Sequence, residues 1–366
     1  MFKVEAVVVG AGVIGLAIAR ALALHGVKVV LLEKESVAGT GISSRNSEVI
    51  HSGIYYEPES LKATLCVRGR RMMYNYCDER RVPHRQCGKL VVATDPSEDA
   101  QLGYLLQRAE KNGVEEIELI GAARLKSLES HIHGTSALLS PCSGIVDTHA
   151  LMLSYQADAE AAGATIVFRT PVLAATMVGR TIQLRTGGSE SAELEADLVV
   201  NAAGLDAWDF SARLTGLDRA TIPAKFLAKG NYFTLTGATP FRHLIYPVPE
   251  PGGLGIHVTL DLAGQARFGP DVEWVDRIDY AVDPDRGRRF YAAIRRYWPD
   301  LSDGALVSAY SGIRPKTAAT KQCDFVIQGP GDTGHRGYIA LYGIESPGLT
   351  ASLAIGERVA QLAGIM

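Results

Sequence analysis

The hydrophobic pattern is most sharply punctuated at the start of the chain. Residues 4–9 form a short, largely β-branched apolar run of the kind buried in a parallel sheet. Gly10-Ala11-Gly12-Val13-Ile14-Gly15 follows, and the pattern then predicts a helix over residues 16–25 with Gly26 as its stop. Residues 27–32 read as a second buried strand ending at Glu33. Farther on, residues 144–163 predict a crossover helix capped by Asp147, followed by a strand over 165–168. Three β-rich runs (172–178, 181–186 and 193–200) suggest a meander. Runs at 233–235, 244–246, 254–260 and 266–268 alternate with Gly and Pro, as in an antiparallel sheet. A strand over 305–313 is expected to stop at Pro315, with Arg314 at its end. Residues 337–350 read as a strand and a Gly/Pro-rich turn, continuing into a helix to about residue 363. The class is α/β: a Rossmann-like unit interleaved with an antiparallel-sheet unit, with no repeats and no low-complexity linker.

Composition narrows the partners. The 366 residues are 47% hydrophobic and 21% charged with a formal net charge of −3, so nothing recommends nucleic acid or an anionic membrane surface. No segment offers about 18 uninterrupted apolar residues, which leaves at most peripheral membrane association. The five cysteines are scattered and contain no CxxC pair. This argues against a disulfide framework or a metal site and suggests a reducing, cytoplasmic setting. The apolar stretch before Ala23 superficially resembles a signal peptide, but three glycines interrupt it at fixed spacing. It is read as a retained strand and helix.

That punctuation has a chemical use. Gly10 permits a tight turn, Gly12 lets backbone approach a pyrophosphate, and Gly15 lets the helix pack close to the strand. The amides around Val13 and Ile14 open a helix N-terminus, which favours phosphate. Glu33, 18 residues after Gly15, can accept hydrogen bonds from ribose hydroxyls and would repel a 2′-phosphate. Lys34 beside it and Val172 at the head of the meander are counted among the cofactor contacts. Ser43, Ser44, Arg45, Asn46 and Ser47 supply hydroxyls, an amide and a guanidinium suited to a ribityl-pyrophosphate chain. Two further returns of the sheet favour FAD over NAD. One empties into Ala203 and Gly204. The other runs through Gly343, Ile344, Glu345, Ser346, Pro347, Gly348, Leu349 and Thr350, where a second helix N-terminus faces the cofactor. The chain shows no second dinucleotide fingerprint, which argues against a flavin reductase fed by NAD(P)H.

Several stretches carry a family resemblance: residues 43–56, 61–66, 246–259, Gly312-Ile313-Arg314-Pro315-Lys316 and 343–350. With them the chain resembles the FAD-dependent D-amino acid oxidase superfamily, and within it the L-2-hydroxyglutarate dehydrogenase/oxidase branch. The resemblance implies an FAD unit over 1–85, 145–215 and 310–366, and a substrate unit over 86–144 and 216–309. Glu48 and residues 207–210 depart from the branch pattern.

Oxidising a C–H beside a hydroxyl requires an oriented substrate and a base for the hydroxyl proton, while the flavin accepts the hydride at N5. In glycine-oxidase-like relatives the arginine of the Gly-x-Arg-Pro motif binds the substrate carboxylate. That role carries onto Arg314, whose planar guanidinium suits a two-pronged grip. His257 is the expected general base. His51 is a second proton acceptor or a flavin partner, with a covalent flavin link as a remoter option. Tyr55, Tyr246 and Lys316 are candidate pocket residues. A dicarboxylate needs a second cation, for which Lys316, Lys321, Arg242 and Lys229 are available. The leading expectation is oxidation of a small 2-hydroxy acid, L-2-hydroxyglutarate above all, with electrons passed to oxygen, a quinone or an electron-transfer protein. The alternatives are an amine or amino-acid oxidase of glycine-oxidase type, a glycerol-3-phosphate oxidase, and a flavin-binding protein without turnover.

Overall fold

The structure, a computed structural model, describes residues 1–188, 191–249, 255–320 and 323–366. β1 (Phe2–Val9) lies between two parallel neighbours, β2 (Val29–Leu32) and the strand Glu193–Asn201. Thr165–Val167 extends the sheet beyond β2, and Tyr338–Tyr342 extends it beyond Glu193–Asn201, again in parallel. The β1 side chains explain why both faces are covered. Ala6 and Val8 pack into a helical layer built from α1 (Val13–Leu24), α2 (Leu61–Arg80), Thr148–Ala161 and Gly348–Leu362. Val7 and Val9 point the other way, against Trp208, Phe210, Tyr338 and Tyr342. Each fully buried side chain of this size contributes about 1.5–3 kcal/mol, so an all-apolar strand is stable only between two such layers.

Local signals set the element ends. Asp147 caps Thr148–Ala161 by accepting from the Ala150 amide at 2.9 Å. Gly26, with φ +83°, ends α1 in the left-handed region that favours glycine. The meander Val172–Val178, Thr181–Thr186 and Glu193–Asn201 is antiparallel, as its alternation suggests. Residues 207–210, which depart from the branch pattern, open a short helix, Ala207–Arg213. Its Trp208 packs on Tyr342 and donates to the Pro223 carbonyl at 2.8 Å. Glu48 adopts φ +58° and pairs with Arg267 at 2.9 Å.

A second sheet of nine strands, counted among the described residues, takes its members from between Lys89 and Lys316. At its centre Lys89–Ala93 runs parallel to Leu244–Pro247 and antiparallel to Ser136–Ser140. The strand expected over 254–260 is Val258–Leu260 within the described residues. Residues 250–254, part of one family stretch, lie outside them.

One expectation is corrected. Pro315 does not stop its strand: Leu306–Lys316 continues through it, with Pro315 opposite Leu227 and Arg314 opposite Ala228. Among the described residues this strand pairs only with Phe226–Leu235. It is therefore an edge strand, where proline's missing N–H breaks no ladder bond. The expected unit boundary at 310 falls inside this continuous strand. Among the described residues, no helix is long and apolar enough to cross a membrane.

Candidate active site

Residues of both sheets line a cavity of about 780 Å³, toward the upper end of the 300–1,000 Å³ usual for small-molecule sites. Its floor is the glycine turn. Gly10 holds φ +102°, and a Cβ there would meet the Ala202 carbonyl oxygen at 2.7 Å. A Cβ on Gly15 would stand 1.8 Å from the Gly10 oxygen, so only glycine lets α1 start so close to β1. Gly15 thus acts by packing and does not line the cavity. Gly10, Gly12, Val13 and Ile14 do. Gly12 caps α1 without a side-chain bond, and the Val13 amide donates to Ser43 Oγ at 3.0 Å.

Glu33 does line the cavity, but it is also a brace. It accepts from the Ala11 amide at 2.6 Å and the Glu35 amide at 2.9 Å, tying the turn to the end of β2. Lys34 pairs with Asp206 at 2.6 Å, and this bond holds the ammonium pKa above its ordinary value. Ala203 and Gly204 also line the cavity. Val172 is not on the cavity.

The polar loop is largely bonded within itself. Asn46 Nδ2 donates to the Ser43 carbonyl at 2.6 Å, and Ser47 Oγ meets Tyr232 OH at 2.9 Å. The Arg45 guanidinium lies 4.0 Å over the Tyr280 ring, and its Nη1 donates to Ser311 O at 3.3 Å. Ser43, Arg45, Asn46 and Ser47 reach the cavity. Ser44 does not, since its hydroxyl donates back to Thr40 O and Gly41 O.

Gly343, Ile344, Glu345, Ser346, Pro347, Gly348 and Leu349 form one wall. Glu345 is clamped there between two buried ammoniums, Lys316 Nζ at 2.6 Å and Lys62 Nζ at 2.9 Å. Burial works against its charge, but Lys62, Lys316 and Arg314 outweigh burial and hold the carboxyl below the usual carboxylate range. Lys316 thus borders the cavity already engaged with a carboxylate. Thr350 is fully buried and off the cavity. Its Oγ1 accepts from the His51 amide at 3.0 Å and donates to Val49 O at 3.3 Å, fixing the backbone at His51.

His51 is half-buried. Its Nε2 meets Ser346 Oγ at 3.0 Å and its Nδ1 meets Lys89 Nζ at 3.5 Å. Burial, then the Lys89 and His257 charges, push the imidazole well below its ordinary pKa, so it is neutral at pH 7. His257, 6% exposed, stacks on the Tyr246 ring with centroids 3.6 Å apart. Tyr246 in turn stacks on Tyr55 at 6.4 Å. Tyr55 lines the cavity with a buried hydroxyl that has no partner among the described residues, which is an open position for a ligand atom. Arg314 Nη2 donates to Asp271 O at 2.8 Å. Arg314 lines the cavity, and no carboxylate among the described residues lies within ion-pair distance of its guanidinium.

The other proposed cations fall elsewhere. Arg242 and Lys229 do not line the cavity, and Lys229 Nζ donates to Ala281 O. Lys321 lies outside the described residues. Two cavity residues escaped sequence reasoning, Lys62 and Tyr56, which bonds Ser346, and so did Lys89, which does not line the cavity but meets His51 Nδ1 at 3.5 Å. A signal existed for Lys89, a lone charge opening the wholly apolar run Leu90-Val91-Val92-Ala93.

Comparison with known proteins fits this cradle. A family model described as FAD dependent oxidoreductase (DAO) matches residues 5–362. The chain is 45% identical to the mitochondrial L-2-hydroxyglutarate dehydrogenase of Arabidopsis thaliana, over 98% of this chain and 83% of that protein. It is 30% identical to the Homo sapiens protein of the same name, over 97% of this chain and 88% of that one. Among solved structures, the dithionite-reduced L-alpha-glycerophosphate oxidase of Mycoplasma pneumoniae with FAD bound matches with a TM-score of 0.89 at 25% identity, covering 100% and 95% of the two chains. The glycine oxidase of Geobacillus kaustophilus matches with a TM-score of 0.81 at 21% identity, covering 100% and 95%, a likeness of fold alone.

Proposed function

The chain belongs to the FAD-dependent oxidoreductase (DAO) family, and from that premise we propose that it oxidises L-2-hydroxyglutarate to 2-oxoglutarate. It is an enzyme whose cofactor is FAD. One observation carries the choice of substrate: the Arg314 guanidinium faces the same cavity as two imidazoles, His51 and His257. A 2-hydroxy acid needs a carboxylate clamp and a base for its hydroxyl. An amino acid that arrives with a neutral amine needs no such base.

The cradle fits the cofactor. Gly10, Gly12, Val13 and Ile14 would hold the pyrophosphate and Glu33 the ribose. Ser43, Arg45, Asn46 and Ser47 would follow the ribityl chain, and the wall from Gly343 to Leu349 would face the ring. FAD, when bound, supplies a two-electron acceptor. The remaining work falls to side chains. Arg314 grips the 1-carboxylate through two parallel N–H donors. An imidazole of the His51/His257 pair takes the hydroxyl proton. Tyr55 donates to the bound acid, and stacked Tyr246 keeps His257 in place. Lys62 and Lys316, both on the cavity and both bonded to Glu345, are the candidates for meeting the second carboxylate of a dicarboxylate.

The sheet memberships support dividing the chain into an FAD unit and a substrate unit, with the strand Leu306–Lys316 belonging to the second. Oxygen, a quinone or an electron-transfer protein is the electron acceptor. The relatives are named mitochondrial, so the cytoplasmic setting expected from the cysteines gains no support from them.

A panel of acids tests the reading. L-2-Hydroxyglutarate should reduce the FAD-loaded protein anaerobically, while glycine, sarcosine and glycerol 3-phosphate leave it oxidised. Reduction by the amines alone would end the hydroxy-acid assignment.

A further inference from the structure

Lys89 is the most deeply buried cation near the site, 1% exposed, yet no acid pairs with it among the described residues. It opens the strand Lys89–Ala93, and its register places it opposite Leu244 and Ser140, one pleat from Tyr246. Its Nζ lies 3.5 Å from His51 Nδ1 and 4.0 Å from the centre of the Tyr246 ring, with the Tyr55 ring at 5.8 Å. The groups that face it are therefore His51, the two tyrosine rings and the thiols of Cys66, Cys87 and Cys142. His51 is faced in turn by Lys89, His257 and Ser346. The imidazole thus spans two environments. Its Nδ1 end meets a buried amine, and its Nε2 end meets Ser346, which is exposed to the cavity.

We propose that Lys89 is a positioning residue that sets the tautomer of His51, making His51 rather than His257 the imidazole that accepts the substrate proton. The inference rests on the hydroxy-acid reading above. A charged Lys89 can only donate, so it donates to Nδ1 and forces the proton of neutral His51 onto Nε2. That ring end can then hydrogen-bond a substrate oxygen but cannot take a proton. An uncharged Lys89 presents a lone pair, a better acceptor than the amine is a donor, so Nδ1–H points at Lys89. The Nε2 lone pair then faces the cavity. During oxidation the substrate O–H bond breaks and its proton joins Nε2. The Nδ1–H proton passes to Lys89 Nζ, converting –NH₂ to –NH₃⁺. The electron pair of the substrate C–H bond leaves with its hydrogen to FAD, the oxidant of the established family chemistry. No charge is left on the imidazole.

Burial brings the Lys89 ammonium down to about 8, so its switch falls within reach of ordinary buffers. The test uses FAD-loaded protein labelled with ¹⁵N-histidine, read by NMR from pH 6 to 10, with His51→Asn assigning the signal. The proton of His51 is expected on Nε2 below the Lys89 transition and on Nδ1 above it. A tautomer that stays the same across that range overturns the proposal. Rapid-mixing reduction by L-2-hydroxyglutarate supplies the second arm. The wild-type rate is expected to rise with pH through about 8. Lys89→Met should lose that limb. Lys89→Arg, a permanent cation, should stay about 10²-fold slower throughout, the size of a lost acid–base contribution. A wild-type limb retained in Lys89→Met, or wild-type rates in Lys89→Arg, overturns it equally. Should either variant fail to hold FAD, the NMR of the wild-type protein decides. Should L-2-hydroxyglutarate fail to reduce the wild-type protein, the hydroxy-acid reading falls, while the substrate-free NMR still decides the hold of Lys89 on His51.

Discussion

Replacing Arg314 by alanine isolates the carboxylate clamp. The side chain sits in a paired strand opposite Ala228, and its Nη2 is anchored on Asp271 O at 2.8 Å. The guanidinium is further confined by Gly230, where a Cβ would come within 2.7 Å of Nη2. One of five N–H donors is thus spent on position, and a parallel pair remains for a carboxylate. Each charge-assisted bond contributes about 1.5–3 kcal/mol, or about 3–6 kcal/mol for two. Arg314 is only partly buried, so solvent screening favours the lower end, about 3 kcal/mol, equal to roughly a 10²-fold change. Anaerobic stopped-flow reduction across a substrate series separates affinity from rate. For Arg314→Ala, half-saturation should rise by about 10²-fold or vanish into a linear response. Arg314→Lys should recover only part of it, since an ammonium lacks the planar fork. FAD content and melting temperature should be those of the wild type. Unchanged half-saturation in Arg314→Ala would remove the clamp and the orientation argument built on it.

Four further outcomes are expected. Gly15→Ala would set a methyl 1.8 Å from the Gly10 oxygen, so turn and helix must part by about 1.5 Å. The protein should purify largely free of FAD and be less stable by about 1–3 kcal/mol, read by absorbance and urea unfolding; full FAD content would contradict the close-packing role. Glu345→Gln leaves the buried ammoniums of Lys62 and Lys316 facing each other without their shared carboxylate, so unfolding free energy should fall by about 3–5 kcal/mol in the same assay. The folded-state pKa of Lys89, about 8, lies below the roughly 10.4 of an unfolded lysine. Between those values the unfolded chain holds a proton that the folded one has released, so this group makes stability rise with pH across that window. Below pH 8 it costs about 3 kcal/mol, so Lys89→Met should be more stable than wild type at pH 7, with the gain shrinking toward pH 10 in urea titrations. Burial pushes the Cys66 thiol up to about 12, so native protein should leave Cys66 unlabelled by iodoacetamide at pH 8, with labelling appearing in urea, as peptide mass mapping would show.

What the sequence revealed depended on how local each signal was. The strand–turn–helix of residues 2–24 is written in consecutive residues, because its glycines, β-branched run and helix stop act on their own neighbours. Asp147 was legible for the same reason. The motif stretches also led to His51, Arg314 and the turn from Gly343. Partnerships across the fold were not legible. Nothing near Glu345 in the chain signals Lys62, 283 positions away, and a lysine reads as solvated until the fold buries it. Pro315 was read as a strand end because a sequence does not show which strands lie at an edge. Thr350 and Gly15 lay within the correct motifs but act on backbone beside the cavity. Val172 and Ser44 belong to well-predicted segments that stop short of it.

The most direct measurement is an anaerobic titration of the FAD-loaded protein with L-2-hydroxyglutarate, following flavin colour and 2-oxoglutarate together. The expected result is complete bleaching with one 2-oxoglutarate formed per flavin reduced. A flavin that stays yellow at saturating acid, or bleaches without forming 2-oxoglutarate, would contradict the assignment.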